Sequence, residues 1–125
     1  MGRSSARGRP SSLTDRSAIG DRLFRFDVIA DSHLEPERPG ETVPRSNRRF
    51  AAVTDAINAD PGDFVLHLGD VVHPLPGVAE SAAARQTART LLSRLGGPLH
   101  VTPGNHDIGD KPHKLVPAAI VQPEW

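Results

Sequence analysis

The chain has 125 residues, no cysteine, and 15 basic against 15 acidic side chains, for a formal net charge of zero. That length is one domain or part of one, and the charge balance gives no global field toward nucleic acid or an anionic membrane. Absence of cysteine excludes disulfides and thiolate metal sites, and no apolar stretch reaches the length of a membrane-spanning helix.

Residues 1–21 are rich in Arg, Ser, Gly and Pro, with Arg3, Arg7, Arg9, Pro10, Ser11 and Ser12 at their start. Such a composition buries too little apolar area to order itself, so a disordered tail is expected. It holds no apolar core of a secretory signal, and Ala6 stands where a myristoylation pattern requires Ser or Thr. A cytoplasmic location is the resulting expectation. The ordered domain is expected over 22–125.

Leu23–Ala30 is apolar with β-branched residues near its end, which predicts a strand. Asp31–Pro44 contains Pro36, Pro39, Gly40 and Pro44 and reads as a long loop, of the length that often carries function. Ser46 or Asn47 is expected to cap a helix running to about Asn58, with Phe50, Val53 and Ile57 on its buried face. Asp60-Pro61-Gly62-Asp63 is a turn. Phe64–Leu68 is a short continuous apolar run, as in a strand buried on both faces. After a Pro-punctuated loop, a second helix is expected over Val78–Leu95, with Ala84, Ala88, Leu91, Leu92 and Leu95 as its seam and Gly96-Gly97 as its stop. Leu99–Thr102 reads as a third strand, and Gln122-Pro123-Glu124 resembles a helix start. The order β-α-β-α-β implies a parallel α/β sheet, in which ligands gather beyond the carboxyl ends of the strands.

Three polar segments fall at those ends: Asp31-Ser32-His33, Gly69-Asp70 and Gly104-Asn105-His106-Asp107. Carboxylate, amide and imidazole donors gathered at one sheet edge suit hard to borderline divalent metals. Asp-x-His alone is a weak signal, and Gly-Asp after a strand is ordinary turn chemistry. Gly-Asn-His-Asp is more specific, and the ordered series is stronger than its parts.

The series resembles the calcineurin-like metallophosphoesterase superfamily over about residues 24–107. That resemblance implies half of an α/β/β/α sandwich and two divalent ions (Mn, Fe or Zn). It further implies a phosphate-ester substrate, a phosphomonoester or phosphodiester, attacked by a metal-activated hydroxide. It places Asp31 and His33 on the first metal, Asp70 as the bridge, Asn105 on the second metal, and His106 near phosphate to assist the leaving group. Many relatives read Gly-Asp-x-x-Asp, whose last Asp orients that histidine; here the position is His73. His73 is read either as approaching the first metal or as a loop histidine beside it, and Asp107 as a substitute orienter of His106. His67 and His100, within strands, are read as hydrogen-bonded core residues rather than ligands.

The family's later ligands, a lone His and a Gly-His-x-His, have no counterpart here; His113 is the only histidine after His106, and it is read as a surface residue. The chain is therefore expected to be a carboxyl-terminally truncated metallophosphoesterase with one sheet face uncovered. The alternative is a non-catalytic remnant or binding module with an incomplete metal site. There is neither a phosphate-cradling Gly-rich loop nor a Gly-x-Ser-x-Gly elbow to support another hydrolase or nucleotide-binding class.

Overall fold

The computed structural model describes residues 20–109. Most of the 1–21 segment, His113 and the Gln122 helix start lie outside the described residues. The elements alternate in the expected order: β1 (Phe26–Ile29), α1 (Arg45–Ala59), β2 (Phe64–His67), α2 (Ala79–Leu92), β3 (Leu99–Val101) and a single-turn α3 (Asn105–Ile108). The strands form one sheet in the order β1-β2-β3, and both pairings are parallel. Each crossover carries a helix, as a parallel connection requires.

Both helices pack on one face of the sheet. Phe50 from α1 and Ala84, Ala88 and Leu91 from α2 share one buried cluster with Val65 of β2, with Leu95 just beyond α2 and with Leu34, Val71 and Val72 from the loops. The α2 seam is the one its spacing predicts. On α1 the predicted stripe holds at Phe50, in the buried cluster, and at Ile57, packed against it, but Val53 is exposed and the polar Asn47 and Thr54 are buried instead. Asn47 does not cap α1; Pro44 holds the N-cap position without a side-chain bond. Instead the Asn47 amide accepts the Glu35 N–H at 3.0 Å and donates to the Glu35 carbonyl at 2.9 Å. This buried amide thereby fastens the long loop to the helix, with its polar atoms satisfied.

The strand Phe64–His67 is not buried on both faces. Val65 and His67 point to the helices and are enclosed, whereas Phe64 and Leu66 are only half-buried. The register pairs Phe26 with Phe64, Val28 with Leu66 and Leu66 with His100, so these side chains share the other face. There Phe26 stacks on Phe64 with centroids 5.1 Å apart, and His100 meets Phe64 edge-on at 5.8 Å. His100 is exposed, not a core residue. Among the described residues nothing covers this face, and Phe26 and Val28 remain exposed on it.

Candidate metal centre

Beyond the sheet, the loops after β1 and β2 continue to pair. Asp31 N–H donates to the Gly69 carbonyl at 3.0 Å, His33 N–H to the Asp70 carbonyl at 2.9 Å, Leu34 N–H to the Val71 carbonyl at 2.9 Å, and His73 N–H back to the Leu34 carbonyl at 2.9 Å. Leu34 and Val72 form a parallel bridge and are buried in the core. This zipper has a rigid apolar backing, and it fixes Asp31 and His33 beside Asp70 and His73.

Three residues in it have left-handed backbones: Asp31 at φ 53°, His33 at φ 44° and Asp70 at φ 52°. For non-glycine residues that conformation costs about 1–2 kcal/mol each. Such strain persists where surrounding structure enforces it and clusters at functional sites. Here it falls on the three residues assigned by sequence to the first metal.

The third loop closes against the second through two glycines. A Cβ on Gly69, whose φ is +100°, would lie 2.7 Å from the Gly104 Cα and 2.8 Å from the Pro103 carbonyl carbon, and one on Gly104 would strike the Asp70 carboxylate and amide. The bare backbones permit the approach. As a result His106 N–H donates to Asp70 Oδ1 at 2.9 Å, so the start of α3, with Asn105 as its first residue, sits against the Asp70 carboxylate.

The side chains form two overlapping groups. Asp31, His33 and Asp70 each offer one donor atom, all within 4.8 Å of one another; His33 Nε2 is 3.9 Å from Asp31 Oδ1 and 3.7 Å from Asp70 Oδ2. His33, His73 and His106 form the second such group. Five of the seven residues singled out by sequence, Asp31, His33, Asp70, His73 and His106, therefore meet in one place. Asn105 stands exposed at its border.

Asp107 is placed differently. Its carboxylate is 1 % exposed and turns inward, accepting N–H groups from Val71 at 3.1 Å and Val72 at 3.4 Å and from Gly104 at 2.8 Å. It braces two loops and does not orient His106. Consecutive helical residues do not face each other, and the His106 ring is held from another quarter: its Nδ1–H donates to the His73 carbonyl at 2.7 Å.

His67 is wholly enclosed. The Gly69 N–H donates to its Nδ1 at 3.1 Å, which leaves Nε2–H to donate to Ser32 Oγ at 2.6 Å. Burial pushes this imidazole below its ordinary value, against the opposing pull of Asp107, Asp31 and Asp70. A neutral His67 thus supports the loop that carries Asp31 and His33, as a hydrogen-bonded core residue. Ser32 gave no signal of this role in the sequence.

A cleft of about 220 Å³ opens beside the histidines, lined by His33, Glu35, Arg45, Ser46, Arg49 and His73. Arg45 and Arg49 were not singled out from sequence, although their spacing of four places both on one side of α1.

A family model described as calcineurin-like phosphoesterase matches residues 24–122. The chain is also 28% identical over 105 residues to a curated protein from Methanothermobacter thermautotrophicus described as "dCTP deaminase, dUMP-forming", an alignment covering 81% of this chain and 48% of that protein. The chain thus spans about half the length of the curated relative it matches.

Proposed function

The chain belongs to the calcineurin-like phosphoesterase family, and from that premise we propose that it carries the centre of a metal-dependent hydrolase of phosphomonoesters or phosphodiesters. The carrying observation is the convergence of Asp31, His33 and Asp70, each held in a left-handed backbone. Two carboxylates and an imidazole fit a divalent cation of the Mn, Fe or Zn class. Donor atoms 3.7–3.9 Å apart need to close by less than about 1 Å to become adjacent ligands at ordinary metal–oxygen and metal–nitrogen distances. Divalent ions bound there, two in this reading, supply Lewis acidity toward phosphoryl oxygens and lower the pKa of water.

The chain's own groups have separable tasks in this reading. Asp31 and His33 would hold the first ion. Asp70, which faces His33 on one side and accepts the His106 N–H on the other, would be shared with the second ion, and Asn105 would offer that ion a neutral amide oxygen. His106 keeps Nδ1 on the His73 carbonyl, which leaves Nε2 to hold or deliver a proton at the leaving-group oxygen. The Arg45–Arg49 side of the cleft attracts the anionic ester.

The test is hydrolysis of p-nitrophenyl phosphate and bis-p-nitrophenyl phosphate with added Mn²⁺, by the wild-type chain and by Asp70→Asn. Metal-dependent nitrophenol release that Asp70→Asn lacks is expected. An inert wild-type chain would favour a non-catalytic module with an incomplete site. Loss of ammonia from dCTP, with both nitrophenyl esters untouched, would favour the activity in the relative's name.

A further inference from the structure

We propose that the apolar cleft between β1 and α1 receives the organic group of the ester, so that the substrates are phosphate esters of ring-sized, apolar alcohols. The proposal rests on the reading of the adjoining centre as that of a phosphoesterase. The cleft encloses about 480 Å³, within the range of about 300–1,000 Å³ usual for small-molecule sites. Its walls include Ile29 of β1 and Phe50 and Val53 of α1.

Val53 is the wall residue that this occupant explains. Its spacing from Phe50 and Ile57 puts it on the packed side of α1. Phe50 is 5 % exposed and Ile57 packs against the core, yet Val53 is 41 % exposed. An apolar guest would cover it and gain from the contact, because removing apolar surface from water is favourable.

Three features tie the guest to the ester. Asp31 and His33 line the cleft as well as the candidate metal centre, so the two are continuous. Arg49 lines both this cleft and the smaller one beside His33 and His73, which places a cation where an anionic ester would pass from one to the other. Ser32 also lines the cleft. The Gly69 N–H on His67 Nδ1 leaves His67 Nε2–H to donate to Ser32 Oγ, so the Ser32 O–H is itself left to donate. Apolar walls with a few directed polar groups are what orients a small molecule in its site.

The test reads binding and is independent of turnover. Calorimetry in the presence of Mn²⁺ compares 1-naphthylmethylphosphonate with methylphosphonate on the wild-type chain, Val53→Trp and Val53→Gln. Trp at this exposed position fills the cleft without displacing core, and Gln makes its wall polar. Equal thermal unfolding midpoints establish that the proteins are folded alike. The wild type is expected to prefer the naphthyl ligand by about tenfold or more. The preference should fall to within about twofold in Val53→Trp and by at least about threefold in Val53→Gln. No preference in the wild type, or one that persists in both variants because the ring sits on the open Phe26–Phe64 face, would overturn the proposal. The two readings fail separately. Cleavage of the nitrophenyl esters without a binding preference overturns the cleft alone, whereas a preference lost on filling the cleft, in a chain inert to those esters, overturns the hydrolase reading alone.

Discussion

Asp107→Asn separates a structural role for this carboxylate from a catalytic one. Asp107 is buried and accepts amide protons from Val71, Val72 and Gly104 at 3.1, 3.4 and 2.8 Å. An asparagine can keep its oxygen on Val71 and Val72, but its NH₂ group then faces the Gly104 N–H, donor against donor. One charge-assisted bond is lost and a buried donor is stranded, a cost of about 2–4 kcal/mol. That is a large share of the roughly 5–15 kcal/mol that holds a domain together, and at about 4–8 °C per kcal/mol it lowers Tm by about 8–30 °C. Thermal and urea unfolding followed by circular dichroism measure it. A Tm within about 2 °C of wild type would refute the bracing role. An unchanged Tm with an altered pH–rate profile would show instead that Asp107 acts on His106.

Gly104→Ala places a Cβ against the Asp70 carboxylate and amide. It should destabilise by about 1–3 kcal/mol and weaken Mn²⁺ binding, since the obstructing atoms include backbone that cannot rotate away; unchanged Mn²⁺ affinity in a titration would contradict this. His67 has a depressed pKa in the folded chain, so the unfolded chain takes up the proton first as pH falls below the ordinary value of 6.5. Its contribution is complete above that pH and declines below it, toward the folded-state pKa. The wild type should therefore lose stability more steeply than His67→Gln between about pH 6.5 and 5, as urea midpoints will show. Arg49→Ala, on the cleft wall, should raise KM for an anionic ester by about threefold to tenfold with kcat little changed, and the effect should shrink at high salt.

The architecture was legible because it rests on periodicities that hydrophobic residues display directly. The α2 seam and the three apolar runs, each ending in a polar segment, were enough for β-α-β-α-β and for the edge at which the donors gather. The stripe on α1 was legible at Phe50 and Ile57 but not in full, because two of its buried residues, Asn47 and Thr54, are polar. Asn47 is buried because Glu35 supplies its hydrogen bonds, and no apolar pattern announces that. Phe64 and Leu66 look like core in the sequence, but their face carries no cover among the described residues. The site was legible as composition, not as arrangement. That His73 meets His33 depends on a backbone zipper spanning 40 positions, and the left-handed conformations of Asp31, His33 and Asp70 leave no mark in residue type beyond the tolerance of Asp for that region. Asp107 was misread because closeness in sequence suggested a partner in His106, while its carboxylate turns inward to the N–H groups of Gly104 and of Val71 and Val72, the last two 36 and 35 positions away.

Calorimetric titration of Mn²⁺ into the wild-type chain and Asp70→Asn tests the metal centre most directly. Asn at position 70 still accepts the His106 N–H, so the third loop keeps its anchor while the substitution removes the charge and replaces Oδ2, the oxygen facing His33, by an NH₂ group. Saturable Mn²⁺ binding by the wild type is expected, with affinity lower by about tenfold or more in Asp70→Asn. Superimposable isotherms for the two proteins, or no binding by either, would contradict a centre built on Asp31, His33 and Asp70.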